Sequence, residues 1–280
     1  MIDTNDHSLT GYTFIDLFAG LGGFRLALES LGGRCMYSNE WDKPAQLVYA
    51  ANFGDTPEGD ITKVDEHTIP DHDILCAGFP CQAFSVSGKQ RGFNDSKGTL
   101  FFDVARIVKE KRPKVVFMEN VKNFAKHDGG RTLAVVESTM EELGYAFNYK
   151  VLSSADYGMP QKRERIYIVC FRKDLEIRGF SYPEPFKLTR HVEDFLLEDE
   201  SMVKHLYVDR PDIHLNGVKD DTYSDKPIRL GIVNKGGQGA SIYSTKGIAI
   251  TLSASGGLSP LHLGPCRRTT LRIYRWQSYH

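Results

Sequence analysis

Phe14-Ile15-Asp16-Leu17-Phe18-Ala19-Gly20-Leu21-Gly22-Gly23 decides the fold of this chain. Its first half is a largely apolar run of strand length, and the glycines lead straight into the helical pattern of Phe24 to Leu31. A strand, a glycine turn and a helix form the first unit of a nucleotide-binding α/β sheet. Glycines let the backbone approach a ligand closely, and the helix amino terminus presents unpaired N–H groups. The dinucleotide fingerprint G-x-G-x-x-G fails, because Arg25 occupies the place of its third glycine. A purely structural turn therefore remains an open reading of the glycines alone.

A second strand, Cys35 to Asn39, ends in Glu40, about 20 residues after the glycines, where an acid usually holds ribose hydroxyls in such folds. Asp60, in Gly59-Asp60-Ile61-Thr62, has two readings: a further contact to the same ligand, or the cap of a helical turn before Lys63. The apolar run Asp73 to Ala77 is a third strand, followed by Gly78-Phe79-Pro80-Cys81-Gln82-Ala83-Phe84-Ser85. Ligands bind beyond the carboxyl ends of strands in open α/β sheets, and Gly78 and Pro80 would aim the Cys81 thiol into such a crevice. Taken alone, a cysteine is more often a small buried hydrophobe.

Lys114 to Val121 is a fourth strand run carrying Glu119, expected at the strand-end position equivalent to that of Cys81 in the neighbouring strand. A basic segment, Ala155 to Arg165, precedes the strand Ile166 to Cys170. Such a segment is usually a solvated loop, but beside a thiol and a carboxylate its arginines could bind phosphate or a polarised ring oxygen.

Taken in this order, the glycine loop, Pro80-Cys81, Glu119-Asn120-Val121 and Gln161-Lys162-Arg163-Glu164-Arg165 resemble the bacterial cytosine-5 DNA methyltransferases over about residues 1 to 256. The resemblance implies methyl transfer from S-adenosylmethionine to a cytosine flipped out of double-stranded DNA. In that reaction Cys81 adds covalently to carbon 6, Glu119 holds the ring at N3 and the exocyclic amine, and Arg165 with Arg163 orients the carboxylate and the adduct. By the same analogy Phe18, Ala19, Gly20, Leu21, Gly22, Gly23, Glu40, Trp41, Asp60, Ile61, Pro80 and Leu100 line the cofactor pocket, with Trp41 stacking on adenine. Trp41 could equally be a partly exposed aromatic. Ser85, Ser87 and Lys89 fall in a segment resembling the mobile catalytic loop of the family, although glycine and charge describe any flexible surface loop.

Composition agrees with this assignment. The chain has 280 residues, 41% of them hydrophobic, enough for one large core and a smaller lobe. Its formal net charge is −1, so DNA binding would rely on local patches such as Lys89 to Arg131, where basic residues outnumber acidic ones. The five cysteines show no metal-binding spacing, no metal is expected, and Cys35, Cys76 and Cys170 fall in strand runs as reduced core thiols. The polar amino terminus and the lack of a long apolar stretch point to a cytoplasmic protein with no membrane partner. A monomer is expected. A cognate restriction endonuclease would act on the same DNA site without a stable complex.

The expected architecture is a doubly wound, mainly parallel sheet with helices on both faces over 1–190, a β-rich target-recognition domain over 191–257, and a divergent tail over 258–280. The change of composition at Tyr182-Pro183-Glu184-Pro185 marks the linker. In the recognition domain, the pattern of the one family member that the chain resembles in detail places Gln238 in the space left by the flipped base, with Gly239 and Thr251 also at the DNA, and implies the site 5'-GCGC-3' methylated at its inner cytosine. Ser241 stands where that pattern has an arginine able to make a bidentate contact to guanine, and Ser255 where it has an aromatic, so sequence choice is less constrained than catalysis.

After about Gly257 the resemblance stops, and the Gly-Asn-Ser-Val helix of the family has no counterpart in Leu258 to His280. A truncated or frameshifted, inactive relative retaining at most DNA binding is therefore the alternative expectation. Uncovering several hundred Å² of apolar surface would cost on the order of 10 kcal/mol, comparable to the stability of a whole domain. A nicotinamide-dependent oxidoreductase is disfavoured by Arg25 and has no use for Pro80-Cys81. An RNA substrate fits the sheet but not the recognition loop Gly231 to Gly239.

Overall fold

The structure, a computed structural model, describes residues 7–80, 100–196, 212–218, 222–235 and 241–251, together with the backbone of 261–263 and 273–274. Cys81, Ser85, Ser87, Lys89, Gln238 and Gly239 lie outside the described residues. Contacts divide the chain into two units: Met1–Leu152 with Arg165–Tyr182, and Ser153–Glu164 with Pro183–His280.

In chain order the first unit opens with β1 (Thr13–Leu17), α1 (Gly23–Ser30), β2 (Arg34–Asn39), α2 (Lys43–Phe53), β3 (Ile74–Ala77), α3 (Leu100–Lys111), β4 (Val115–Val121), α4 (Arg131–Glu142) and β5 (Tyr145–Ser153). There follow β6 (Gln161–Lys162), which belongs to the second unit, and β7 (Glu164–Arg172). The six-stranded sheet has the order β2-β1-β3-β4-β7-β5. β2, β1, β3 and β4 are parallel, and β7 runs antiparallel to β4.

The burial of these elements follows from their sequences. β1 and β3 are covered on both faces, which is why they read as continuous apolar runs rather than alternating ones. Ile15 and Leu17 pack with Leu75, Val116, Met118 and the buried faces of α3 and α4; Phe14 packs on the other side with Leu28 of α1, Ile74 and Cys76. The α3 residues Phe101, Val104, Ala105, Ile107 and Val108 are buried at helical spacing, an amphipathic stripe laid on the sheet. Helices thus cover both faces, as expected for a doubly wound sheet. Because β1 is flanked by β2 on one side and β3 on the other, the chain reverses its direction of winding there. Folds of this kind bind ligands at the carboxyl ends of the strands at that switch point.

In the second unit, β8 (Ile213–Leu215), β9 (Arg229–Val233), β10 (Ser241–Ser244), β12 (Leu261–Leu263) and β13 (Ile273–Tyr274) form a sheet in the order β13-β12-β10-β9-β8, while β11 (Ala249–Ile250) pairs with β6. Leu230, Val233 and Ile242 form its small core with Ile213 and Ile228. Gly231 is needed here because a Cβ would run into the His214 carbonyl of the adjacent strand. The grouping of 153–164 with this unit is not a linear cut of the chain, and β12 and β13 lie within 258–280, where the sequence shows no apolar period. Among the described residues no helix is long and apolar enough to cross a membrane.

Candidate active site

At the carboxyl end of β1, Phe18 adopts a left-handed conformation with φ 55°, uncommon for a bulky residue, and Gly20 and Gly22 follow at φ 55° and 85°. The Ala19 amide donates to the Asn39 carbonyl (2.9 Å), and the Gly22 amide to Ala19 (2.8 Å), which folds the turn back onto itself. A Cβ at Gly22 would fall inside the Phe53 ring, so this glycine is required by packing as well as by its dihedral angle. Space beside Gly23, the first residue of α1, is open. Leu21 is 62% exposed, while Ala19 is buried.

Glu40 is only 7% exposed, and neutral backbone donors hold its carboxylate: the Gly20 amide donates to Oε2 (2.8 Å) and the Asp42 amide to Oε1 (2.8 Å). The acid at the end of β2 therefore fixes the glycine turn of β1. Its own backbone is tied to the segment leading to Asp60, since the Glu40 amide donates to the Glu58 carbonyl (2.8 Å) and the Asn39 side chain donates to the carbonyls of Glu58 and Gly59. Trp41 stands beside Glu40 at 75% exposure. Asp60 caps the helical turn that follows it. Its carboxylate accepts from the Thr62 amide (3.1 Å) and hydroxyl (2.7 Å) and pairs with Lys63 (3.3 Å), and these partners hold its pKa below the usual value, Thr62 contributing most. Ile61 is buried in the main core, and its carbonyl accepts from Arg106 (2.7 Å).

The second half of the edge is built by β3 and β4. In register, Ala77 sits opposite Met118, which sets Glu119 beside Gly78, three residues before Cys81. The expectation that Glu119 ends its strand is thus corrected. β4 runs on to Val121, three residues beyond the register partner of the last β3 residue, because Asn120 and Val121 are still paired with Ile166 and Arg165 of β7. That antiparallel pairing also brings Arg165 to Glu119, Nε to Oε1 at 2.9 Å, with both side chains largely buried. A Cβ on Gly78 would lie 3.9 Å from the other Glu119 oxygen, so the carboxylate borders the turn that leads to Cys81.

Asn120, which the sequence reading did not single out, is buried and donates from Nδ2 to the Phe79 carbonyl (2.8 Å). With Phe79 packed against Phe101 and Phe124, the backbone just before Pro80 and Cys81 is fixed from both sides. Pro80 is exposed, and Leu100 opens α3 half-buried against the main core. Arg163 is exposed and belongs to the second unit, as does Thr251, whose hydroxyl donates to the Lys162 carbonyl (2.7 Å). Burial pushes the Cys35 thiol up to about 11 and those of Cys76 and Cys170 well above the usual thiol value, which leaves these three as unreactive core thiols. Among the described residues no group of three or more His, Cys, Asp or Glu is placed to hold a metal ion.

Solved methyltransferase structures superpose on this fold. A mutant DNMT2 of Spodoptera frugiperda superposes with a TM-score of 0.65 at 18% identity, covering 92% of this chain and 76% of that one. The S. pombe Dnmt2 methyltransferase gives 0.60 at 14% identity, covering 94% and 83%. The sequence narrows the class: residues 12–256 match the C-5 cytosine-specific DNA methylases, and the chain belongs to that family of DNA methyltransferases. Type II methyltransferase M.HhaI of Haemophilus parahaemolyticus is 67% identical over 257 residues, 92% of this chain and 78% of that protein. Type II methyltransferase M.SsoII of Shigella sonnei is 52% identical over 189 residues, 66% of this chain and 50% of that protein. The chain thus spans most of the first relative and half the length of the second.

Proposed function

We propose that the chain is the modification methyltransferase of a type II restriction-modification system, acting on the inner cytosine of 5'-GCGC-3' in double-stranded DNA. The observation that carries this reading is the Glu119–Arg165 pair held against the Gly78–Pro80 turn, with Cys81 next in sequence.

Carbon 5 of cytosine is a poor nucleophile until electrons are added to the ring. The Cys81 thiolate would form a bond to carbon 6, and the π pair of the C5–C6 bond would move towards carbon 5. Glu119 would meet the ring at N3 and the exocyclic amine, offsetting the charge that builds as the sulfur adds. Arg165 orients that carboxylate, and Arg163 is assigned to the adduct. Loss of the carbon 5 proton to a base and cleavage of the S–C6 bond would restore the double bond and the thiolate. S-adenosylmethionine, the methyl donor implied by the family, supplies an electrophilic methyl on a sulfonium to carbon 5.

The residues present fit that ligand. The turn leaves open space at Gly23, Leu21 and Trp41 offer exposed apolar surface, and the Glu40 carboxylate is fixed at the turn by the Gly20 amide. Phe18, Ala19, Gly20, Gly22, Asp60, Ile61, Pro80 and Leu100 complete the assigned lining. Ser85, Ser87 and Lys89 are assigned to the DNA around the flipped base, and the second unit, with Gln238, Gly239 and Thr251, to target recognition.

The test is transfer of labelled methyl to a GCGC duplex and to a duplex with the site scrambled. Incorporation at the inner cytosine of GCGC alone, abolished in Cys81→Ser, is expected. Folded protein that binds both S-adenosylmethionine and DNA yet transfers no label would instead establish an inactive relative.

A further inference from the structure

Asp16 is a carboxyl group that the proposed reaction does not use. Side chains alternate along β1, so Asp16 shares the face of Phe14, the face covered by α1, while Ile15 and Leu17 point the other way. It is 0% exposed, and neither carboxyl oxygen has a hydrogen-bond partner. Buried polar groups are almost always satisfied, so an orphaned carboxyl at the end of a strand bearing a ligand turn requires an explanation.

The surroundings of Asp16 supply it. α1 starts from Gly22 without a side-chain cap, so the first-turn amides above Asp16 have no competing carboxylate. The Arg25 amide acts on Asp16, but the Arg25 guanidinium is spent on Glu29 (2.8 Å), Asp55 (2.7 Å) and Tyr49 (3.2 Å). The other titratable groups facing it are Cys35 from β2, Cys76 from β3, Tyr49 from α2 and Glu40 just beyond β2. All of these are neutral or negative. Burial pushes the Asp16 carboxyl up to about 8, Glu40 adds to the shift, and the amide and charge of Arg25 oppose it without prevailing. Asp16 and Glu40 are close in the sheet: Asp16 is opposite Ser38, two residues before Glu40.

We propose that Asp16 is a positioning residue that reports charge at the glycine turn, carrying a proton while the turn is empty and releasing it to solvent when a sulfonium-bearing nucleoside binds there. The inference rests on the cofactor reading above. A cation near a desolvated carboxyl favours its ionised form, and the ionised carboxylate binds the cation more tightly by the same factor. Ionised Asp16 would also face the first-turn amides of α1 with a full charge and hold the turn closed on the ligand. S-adenosylhomocysteine, a neutral thioether at the same atom, would leave the proton in place. The site therefore discriminates donor from spent product more strongly as pH rises towards 8.

Isothermal titration calorimetry of the full chain tests this, with S-adenosylmethionine and S-adenosylhomocysteine titrated at pH 7.5 in phosphate and in Tris. Release of the larger part of one proton is expected with S-adenosylmethionine, little with S-adenosylhomocysteine, and little for either ligand in Asp16→Asn. Binding whose heat is the same in both buffers, or proton release that persists in Asp16→Asn, overturns the inference while leaving the cofactor reading intact. Absence of binding to folded protein overturns the cofactor reading itself. Should Asp16→Asn fail to fold, the wild-type pH series decides. Affinity for S-adenosylmethionine should rise about tenfold for each pH unit by which the ligand displaces the titration. Equal pH dependence for both ligands would contradict the coupling.

Discussion

The two halves of the carboxyl edge of the large sheet handle charge in opposite ways. Where β1 and β2 end, no cation is bonded to the acids: Glu40 is held by two backbone amides, and the buried Asp16 carboxyl has only the Arg25 amide near it, outside normal hydrogen-bond geometry. Where β3 and β4 end, the acid has a cation of its own, since Arg165 binds Glu119, and the neighbouring Asn120 is neutral and anchored to the Phe79 carbonyl. The first half has unbalanced negative character and suits a ligand that brings a positive charge. The second is balanced beforehand, which suits a neutral ring that gains charge only as it reacts. The difference separates binding from chemistry within one sheet edge.

Substitutions in the second half should break the chemistry and spare the fold. Glu119→Gln is expected to lower kcat by about 10²–10⁴-fold, the usual contribution of a positioned proton-transfer group, with affinity for S-adenosylmethionine unchanged. A loss of affinity larger than the loss of kcat would mean that the two halves are not separate. Arg165→Ala should reduce kcat by about ten- to a hundredfold, since a hydrogen bond to a charged group is worth about 1.5–3 kcal/mol. Arg165→Lys should recover part of the loss, and full activity in Arg165→Ala would show that Glu119 needs no partner.

Asn120→Ala leaves the Phe79 carbonyl buried and unpaired, which should cost about 1–3 kcal/mol in urea denaturation and slow adduct formation by loosening the turn before Cys81. The smallest effect on turnover belongs to the first half, where the readout is stability against pH. Because Asp16 titrates at about 8 in the folded chain and near 3.8 otherwise, the folded state holds a proton that the unfolded state lacks between those values. Stability should therefore fall as pH rises from about 4 to 8, by at most about 1.4 kcal/mol per pH unit, and level off above. Thermal melts of Asp16→Asn across that range should show a shallower slope than the wild type, and identical slopes would contradict the assignment.

Much of this was legible in the sequence, for physical reasons. β1 and β3 are buried on both faces, so their apolar runs stand out, and the glycines of the turn mark the backbone positions that need positive φ. Glu40 was legible by its distance from the turn, although what it does in the fold, gripping the Gly20 amide, depends on the β1–β2 register. The side chains that orient the second half were harder to read. Asn120 reaches a carbonyl 41 residues away, and Arg165 meets Glu119 only because β7 returns antiparallel to β4, a pairing that no local pattern announces. The same pairing extends β4 past Glu119, which is why the acid lies within its strand. Asp16 is polar in an otherwise apolar run, a signal visible in the sequence whose meaning appears only once its face of the sheet is known.

The most direct test of the central claim, covalent attack by Cys81 on a flipped cytosine, uses a GCGC duplex with 5-fluorocytosine at the inner position. Fluorine at carbon 5 cannot leave as a proton does, so the adduct should persist. In the presence of S-adenosylmethionine a denaturation-resistant complex is expected, its mass that of protein plus DNA plus one methyl group, with the linkage mapped to Cys81. Folded protein that binds both ligands and yields no such complex, or one linked through another residue, would contradict the claim.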